Sequence, residues 1–331
     1  MRLFTIALLM CRLSIAAEAP PKAILETPLV REGRFTLWHD PGIVSKLDFQ
    51  YGAGGKEMVP QPPYTFVEED TGGTNPKLKV RDANGRAWSV KFGKEARPDT
   101  FCTRMAWACG YYVEPTYFVA EGSIEGAHGL HRAAAVVDRR GRFQGGRFQL
   151  RAKEPKFLRT VDWSWRDNPF TGTPELSGLK ILMMLVSNWD DKDSQDADRR
   201  GTNTAIFQDG RLMIYSVDDW GGAMGRWGGL LSRSKWDYRG FYEQSPAFIS
   251  FTEGGIRWGY QGQHTHVITG GIRSSDVAWL LRYLGQVSDD QLREALIASG
   301  ASGTETRYYV QGIRTRIRQL QKIAALSVSA N

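Results

Sequence analysis

Between Asn188 and Gly221 the chain gathers residue types that can bind a hard cation. Asn188, Trp189, Asp190, Asp191 and Lys192 stand in succession, and Gly201, Thr202 and Asn203 then lead into a short strand from Thr204 to Phe207. Gln208, Asp209 and Gly210 make a turn, and a returning strand from Arg211 to Val217 ends in Asp218, Asp219, Trp220 and Gly221. Carboxylate and amide oxygens are the donors a hard divalent ion takes. Asp218 and Asp219 either cap a strand or bind such an ion, and the adjoining Trp220 and Gly221 favour Asp219 as ligand. Asp193, Asp196 and Asp198 read as a solvated acidic face balanced by Arg199 and Arg200. Far upstream a strand ends in Val90, Lys91 and Phe92. Alone, Lys91 would be a solvated strand lysine; its place in this series suggests a charge held for a purpose.

The elements around these residues read as sheet first and helices later. Lys77 to Arg81 and Arg86 to Phe92 are alternating runs joined by Asp82, Ala83, Asn84 and Gly85, and Asn-Gly between such runs signals a hairpin. A helix is predicted from Asp99 to Cys109, with Pro98 at its start and Gly110 at its end. Further strands are expected at Glu114 to Ala120, Ala133 to Asp138 and Arg142 to Leu150. Glu175 to Val186 is a helix apolar nearly all round and therefore buried. Helices follow at Ser275 to Leu284, at Asp289 to Ala298 behind a Ser288/Gln291 capping box, and from about Glu305 to Ala325. This order predicts an α+β, two-lobed architecture.

In this order the motifs resemble the protein-kinase-like superfamily, in its atypical branches: the persistence-toxin-type, phosphatidylinositol-kinase-type and secretory-pathway kinases. The resemblance covers about residues 65 to 325. It implies a two-lobed fold with an N-terminal antiparallel sheet and one helix, a mainly helical C-terminal lobe, and ATP- and Mg²⁺-dependent phosphoryl transfer. Lys91 resembles the strand lysine that holds the nucleotide phosphates, with Asp99, or alternatively Glu95, as its helix acid. Gly72, Gly73 and Thr74 look like a shortened phosphate-covering loop. Asp190 resembles the acid that orients the acceptor hydroxyl, and Lys192 the lysine that stabilises the transferred group. Asn203 and Asp219 resemble the metal ligands. The chain has neither a His-Arg-Asp triplet nor a Gly-x-Gly-x-x-Gly loop, and Gln195 stands five residues after Asp190. These departures suit atypical kinases and equally a pseudokinase, so a second reading stays open: an exported, inert kinase-fold protein that binds a carbohydrate or protein partner through tryptophan-rich loops.

Composition bounds both readings. At 331 residues, with 41% hydrophobic, 24% charged and 11% aromatic residues, the chain can bury a large core and is not disordered as a whole. The net charge of +7 favours anionic partners such as nucleotides, phosphorylated substrates or acidic lipid surfaces, without choosing between them. Arg307, Arg314, Arg316, Arg318 and Lys322 on the last helix read as a solvated basic face, so no nucleic-acid partner is expected. The acceptor is open among protein, lipid head group, sugar and metabolite. The tryptophans are expected to pack in the interior. Of three cysteines, Cys102 and Cys109 lie about 10 Å apart along a helix, too far for a disulfide. His264 and His266 are a weak zinc signal, read as same-face strand neighbours.

No apolar run approaches the ~20 residues of a spanning helix. Arg2, the apolar stretch Leu3 to Cys11 and the small residues before Pro20 resemble a secretory signal peptide over residues 1–19. The chain is thus expected to be exported, periplasmic or secreted, or cytoplasmic if that segment is not cleaved. An N-terminal extension over 20–66 is expected to precede kinase-like lobes at 67–160 and 161–325.

Overall fold

The computed structural model describes residues 34–73, 75–158, 163–190, 203–229, 231–252, 255–261 and 265–328. The expected signal segment, Thr74 and Lys192 lie outside them. The architecture is mixed α+β, with a sheet region first and helices toward the C-terminus.

After the short strand β1 (Arg34–Thr36), five strands build a closed barrel: β2 (Tyr64–Asp70), β3 (Lys77–Arg81), β4 (Ala87–Phe92), β5 (Thr116–Glu125) and β6 (Arg142–Leu150), in the order β2-β3-β4-β6-β5. The hairpin between β3 and β4 forms where Asn-Gly stands. The Asp82 carboxylate accepts the N–H groups of Asn84 and Arg86 at 3.0 and 2.9 Å, and Gly85 takes φ +76°. The expected antiparallel sheet is present, and a parallel pair, Tyr64 with Ile124 and Thr65 with Glu125, closes it into the barrel. Along β4, Trp88, Val90 and Phe92 join the barrel's own core with Leu78, Val80 and Phe148. The alternate residue Lys91 faces the other side, because successive strand side chains point to opposite faces.

That other side is covered by α1 (Ala96–Ala108). The helix begins three residues before its expected start, with Pro98 inside the first turn, where its missing N–H costs nothing. Cys102 and Cys109 are buried free thiols. The predicted strand at Ala133 to Asp138 is a correction. Residues Ala133–Ala135 form a 3-10 turn and only Val137 bridges to Phe143, since alanines have little strand preference and the Asp138 carboxylate closes the following turn on Arg140 and Arg142.

A second sheet has the order β1-β9-β8-β7, where β7 is Lys156–Phe157, β8 Thr204–Asp209 and β9 Leu212–Val217. Beneath it lies α2 (Pro174–Leu185), with Pro174 in the first turn and Thr173 accepting the Leu176 N–H at 3.3 Å. Its Leu176, Leu179, Ile181, Leu182 and Leu185 are buried, as its all-round apolar character requires. The remaining helices are α3 (Tyr238–Gln244), α4 (Thr265–Thr269), α5 (Ser274–Leu284), α6 (Asp289–Ala298) and α7 (Gly303–Val328), with a hairpin of β10 (Ile249–Thr252) and β11 (Gly255–Trp258). The Ser288/Gln291 capping box is present at α6. His266 sits on α4 rather than on a strand, and His264 lies outside the described residues.

The stretch read as an extension contributes β1, paired in parallel with β9, and Leu37, Val44 and Phe49 to the main core. Arg104 of α1 holds it by donating to the Phe49 and Gln50 carbonyls at 3.0 Å each. Among the described residues no helix is long and apolar enough to cross a membrane.

Candidate functional site

Lys91 is the centre of a buried charge cluster drawn from four segments. Its Nζ lies 3.3 Å from Asp99 on α1, 3.4 Å from Glu95 just before α1, and 2.8 Å from Asp219 beyond β9. Both acids considered for the helix position therefore reach the lysine. Directly across the ladder from Lys91 stands Arg147 of β6, whose Nε is 3.0 Å from Asp99. Burial opposes the charge on Lys91, but Asp219 and Asp99 outweigh it and its pKa is raised. Burial would also raise Asp219; the charge and hydrogen bond of Lys91 and the Gly221 N–H, 2.8 Å from the carboxylate, hold it down at about 2. At Glu95, burial is overcome by Lys91 and Lys235, and the carboxyl sits below its usual value. At Asp99, burial wins over Arg147 and Lys91 and pushes the carboxyl up.

Asp190 arrives at the same place from the end of α2. The helix closes with a Schellman arrangement: Ser187 N–H donates to Met184 O at 3.0 Å, Asn188 N–H to Met183 O at 2.9 Å, and Ser187 takes the left-handed φ of +56°. The turn buries Asn188, whose amide donates to Asp219 O at 3.4 Å and accepts the Asp190 N–H at 3.1 Å. The Tyr260 hydroxyl donates to Asn188 O and fixes the same turn. Burial raises the Asp190 carboxyl, offset in part by Lys235, whose Nζ is 3.9 Å away. Close packing also fixes the chain after Asp219: a Cβ at Gly222 would come within 2.4 Å of the Asp190 Cβ, and one at Gly221 within 2.7 Å of the Glu95 Cβ.

Asn203 is adjacent. Its side-chain amide donates to Asp190 O at 3.4 Å and its backbone carbonyl accepts the Asp218 N–H at 2.8 Å. Asp218 turns from the cluster toward Gln149, which donates to it at 3.1 Å. Of the three acids around Lys91, Asp219 keeps the most exposed side chain, at 28%. Carboxylate and amide oxygens of these types suit Mg²⁺, which keeps several waters and takes phosphate oxygens for the rest; in this structure both Asp219 oxygens are engaged, one by Lys91 and one by the Gly221 N–H. Among the described residues no group of three or more His, Cys, Asp or Glu side chains is placed to hold a metal unaided.

Gly72 and Gly73 lie on the turn joining β2 and β3, at the end where Asp70 pairs with Lys77 and Lys77 with Lys91. Arg132 holds this turn by donating to the Thr71 and Gly73 carbonyls at 2.8 and 2.7 Å. Thr74 and Lys192 fall outside the described residues. Two participants escaped the sequence reading. Arg147 was hidden in an ordinary strand, where it alternates with Phe148 as Lys91 alternates with Val90, and only the pairing of the two strands brings the two charges together. Lys235, which ion-pairs with Glu95, lies in a loop without periodicity. The basic face expected on the last helix is corrected at Arg316, which is fully buried. Trp163, Trp165, Trp189, Trp220 and Trp227 are buried, as expected.

Glu114, behind the cluster, titrates near neutrality. Burial pushes its carboxyl from the usual 4.5 up to about 7, against the pull of Arg151 at 2.6 Å. The folded chain holds a proton that the unfolded chain releases, so this stabilisation is complete below the unfolded value and lost as pH rises through the folded one. The stability of the native chain relative to Glu114→Gln should therefore fall by up to about 3 kcal/mol between the two pKa values. Urea midpoints at the two ends of that range check it; a constant difference between the proteins would reject it.

No protein-family model matches the chain, and no curated protein matches it.

Proposed function

We propose that the chain is an ATP- and Mg²⁺-dependent phosphotransferase of atypical kinase type, its barrel and α1 forming an N-terminal lobe and its helical part a C-terminal lobe. One observation carries this reading: residues scattered over 129 positions (219 − 91 + 1) meet in one cluster, with Glu95, Asp99 and Asp219 on buried Lys91, Asp190 joined to Glu95 through Lys235, and Asn203 hydrogen-bonded to the backbone of Asp190 and Asp218. A structural ion pair needs two such groups; phosphoryl transfer needs held phosphates, neutralised charge and an oriented acceptor.

In this reading Lys91, kept cationic by its acids, binds the nucleotide phosphates, and Asp99 and Glu95 fix its direction. The turn of Gly72 and Gly73 covers the phosphates, its shape held by the Gly72 N–H donating to the Asp70 carboxylate at 2.9 Å. Asp219 and Asn203 would hold Mg²⁺, which neutralises the charge on the phosphates. Asp190 orients the acceptor hydroxyl and accepts its proton, and the Schellman turn sets its position. The inert reading calls on tryptophan-rich loops; Trp163, Trp165, Trp220 and Trp227 are buried and offer no stacking face, which leaves Trp189 and Trp236 at the cleft and the half-buried Trp258 to that reading.

Thermal unfolding with Mg²⁺, with ATP and with both tests the site, since a ligand selective for the folded state raises Tm. The expected result is a rise that needs both and is lost in Asp219→Ala. Asp190→Asn should keep that rise while lowering turnover by about a hundredfold or more, the usual contribution of positioned acid–base groups. Absence of any shift, or full turnover in both variants, would reject the proposal.

A further inference from the structure

Beside Asp190 a cleft of about 960 Å³ opens between the barrel and the loop before α3. Its charged lining consists of Lys94, Arg97, Arg233 and Lys235 against Asp237 and Glu305, a net excess of two positive charges (4 − 2). Both carboxylates are already engaged. Glu305 takes the Trp236 indole N–H at 2.9 Å and lies 3.6 Å from Arg97. Asp237 caps α3 by accepting the Gly240 N–H at 3.0 Å and takes the Ser234 hydroxyl at 2.9 Å. Lys235 is committed to Glu95 and Asp190.

Arg233 and Lys94 differ, since among the described residues neither has an ion-pair partner. Arg233 is half-buried and lies over the Trp189 ring, 3.9 Å from its centroid, so its planar fork is held before any ligand arrives. A fixed guanidinium fork suits tetrahedral oxyanions, which it binds through paired hydrogen bonds. Trp189 immediately precedes Asp190, which places this anion subsite next to the carboxylate assigned to the acceptor hydroxyl.

We infer that the cleft binds the acceptor through a phosphomonoester already on it: a dianionic phosphate carried by a hydroxyl compound, offsetting the two excess charges. The hydroxyl would face Asp190 while the phosphate sits on Arg233 and Lys94. Only the assignment of this ligand as acceptor rests on the phosphotransferase reading; the anion site stands on its own geometry.

Calorimetric titration of the full chain with glycerol 3-phosphate, with glycerol, and with phosphatidylcholine vesicles carrying phosphatidylinositol 4-phosphate tests the inference. Glycerol 3-phosphate or the vesicles should bind saturably and glycerol should not; the first assigns a soluble phosphomonoester and the second a lipid head group. Arg233→Ala should weaken that binding by about tenfold or more, the value of one charge-assisted hydrogen bond. Lys94→Ala, at an exposed position, provides a second variant with little risk to folding. Asp219→Ala should leave phosphomonoester binding unchanged, and Arg233→Ala should leave the ATP-dependent Tm rise unchanged, so the anion site and the nucleotide site fail separately. Absence of saturable binding to either phosphomonoester, or equal affinity in the native chain and in both cleft variants, would overturn the inference.

Discussion

Lys91→Met is expected to abolish ATP-dependent turnover and to lower stability by about 3–5 kcal/mol, the usual cost of removing one member of a buried ion pair. The physical reason is the company Lys91 keeps. Its side chain and those of Glu95 and Asp99 are 5, 6 and 3% exposed, so water cannot replace the lost cation. Arg147 would remain to compensate Asp99, whereas Glu95 would keep only Lys235 and Asp219 would lose its nearest cation. The loss should also depend on pH. Asp219, held at about 2 by Lys91, contributes stability that is present above its usual 3.8 and disappears as pH falls through about 2. Lys91→Met should remove much of that acid dependence. Adding Asp99→Asn should restore part of the stability by removing a buried charge, but no turnover, which separates the structural role of the cluster from its phosphate-binding role. Urea unfolding and ATP turnover on the three proteins provide the measurement; native stability in Lys91→Met would mean that the cluster is looser than its distances indicate.

Arg316→Met should be nearly as costly, at about 3–5 kcal/mol, because several carbonyls at about 1–3 kcal/mol each would lose their donor. Arg316 is buried, and among the described residues no carboxylate pairs with it. Its guanidinium donates to Leu185 O and the Ser187 hydroxyl at 2.7 Å, to Phe241 O at 3.2 Å and to the Ser245 hydroxyl at 3.0 Å, and its carbon lies 3.7 Å from the Phe241 ring centroid. It thus satisfies the end of α2 at the turn that aims Asn188 and Asp190. On the solvated helix face expected from sequence, the same change would stay within about 0.5 kcal/mol. Arg316→Lys should recover little, since one ammonium cannot span donors arranged as a planar fork. In both variants kcat should fall more than the KM for ATP rises, because the displaced element carries Asp190 and not Lys91. Unchanged urea midpoints would place Arg316 outside the support of the site.

The local features were legible in the sequence because their causes are local. Asn84 and Gly85 specify the β3–β4 hairpin, Ser288 and Gln291 specify the start of α6, and an all-round apolar run specifies a buried α2. The site series was legible for a related reason: Asn203 and Asp219 flank one hairpin, and Asp190 follows one helix. What escaped depends on pairing between distant segments. Nothing near Tyr64 announces that it will lie beside Ile124 and close the barrel. The place of Arg147 is set by the register of β4 against β6, and that of Lys235 by the packing of a loop against α1. Arg316 was misread because charge pattern on a helix describes its probable solvent face only until another element covers it, as α2 and α3 do here.

Barrel closure also limits how this protein can associate. A sheet edge offers unpaired N–H and C=O groups to any incoming strand, and short, closed or covered edges withhold them. The parallel seam between β2 and β5 leaves the barrel without an edge, and the second sheet ends in β1 and β7, only three and two residues long. Strand donation, whether from a partner peptide or from a second copy, therefore finds almost no template in either sheet. Among the described residues, the longest outer edges left are those of the β10–β11 hairpin, four residues each, so recognition at the barrel and at the second sheet runs through side-chain surfaces.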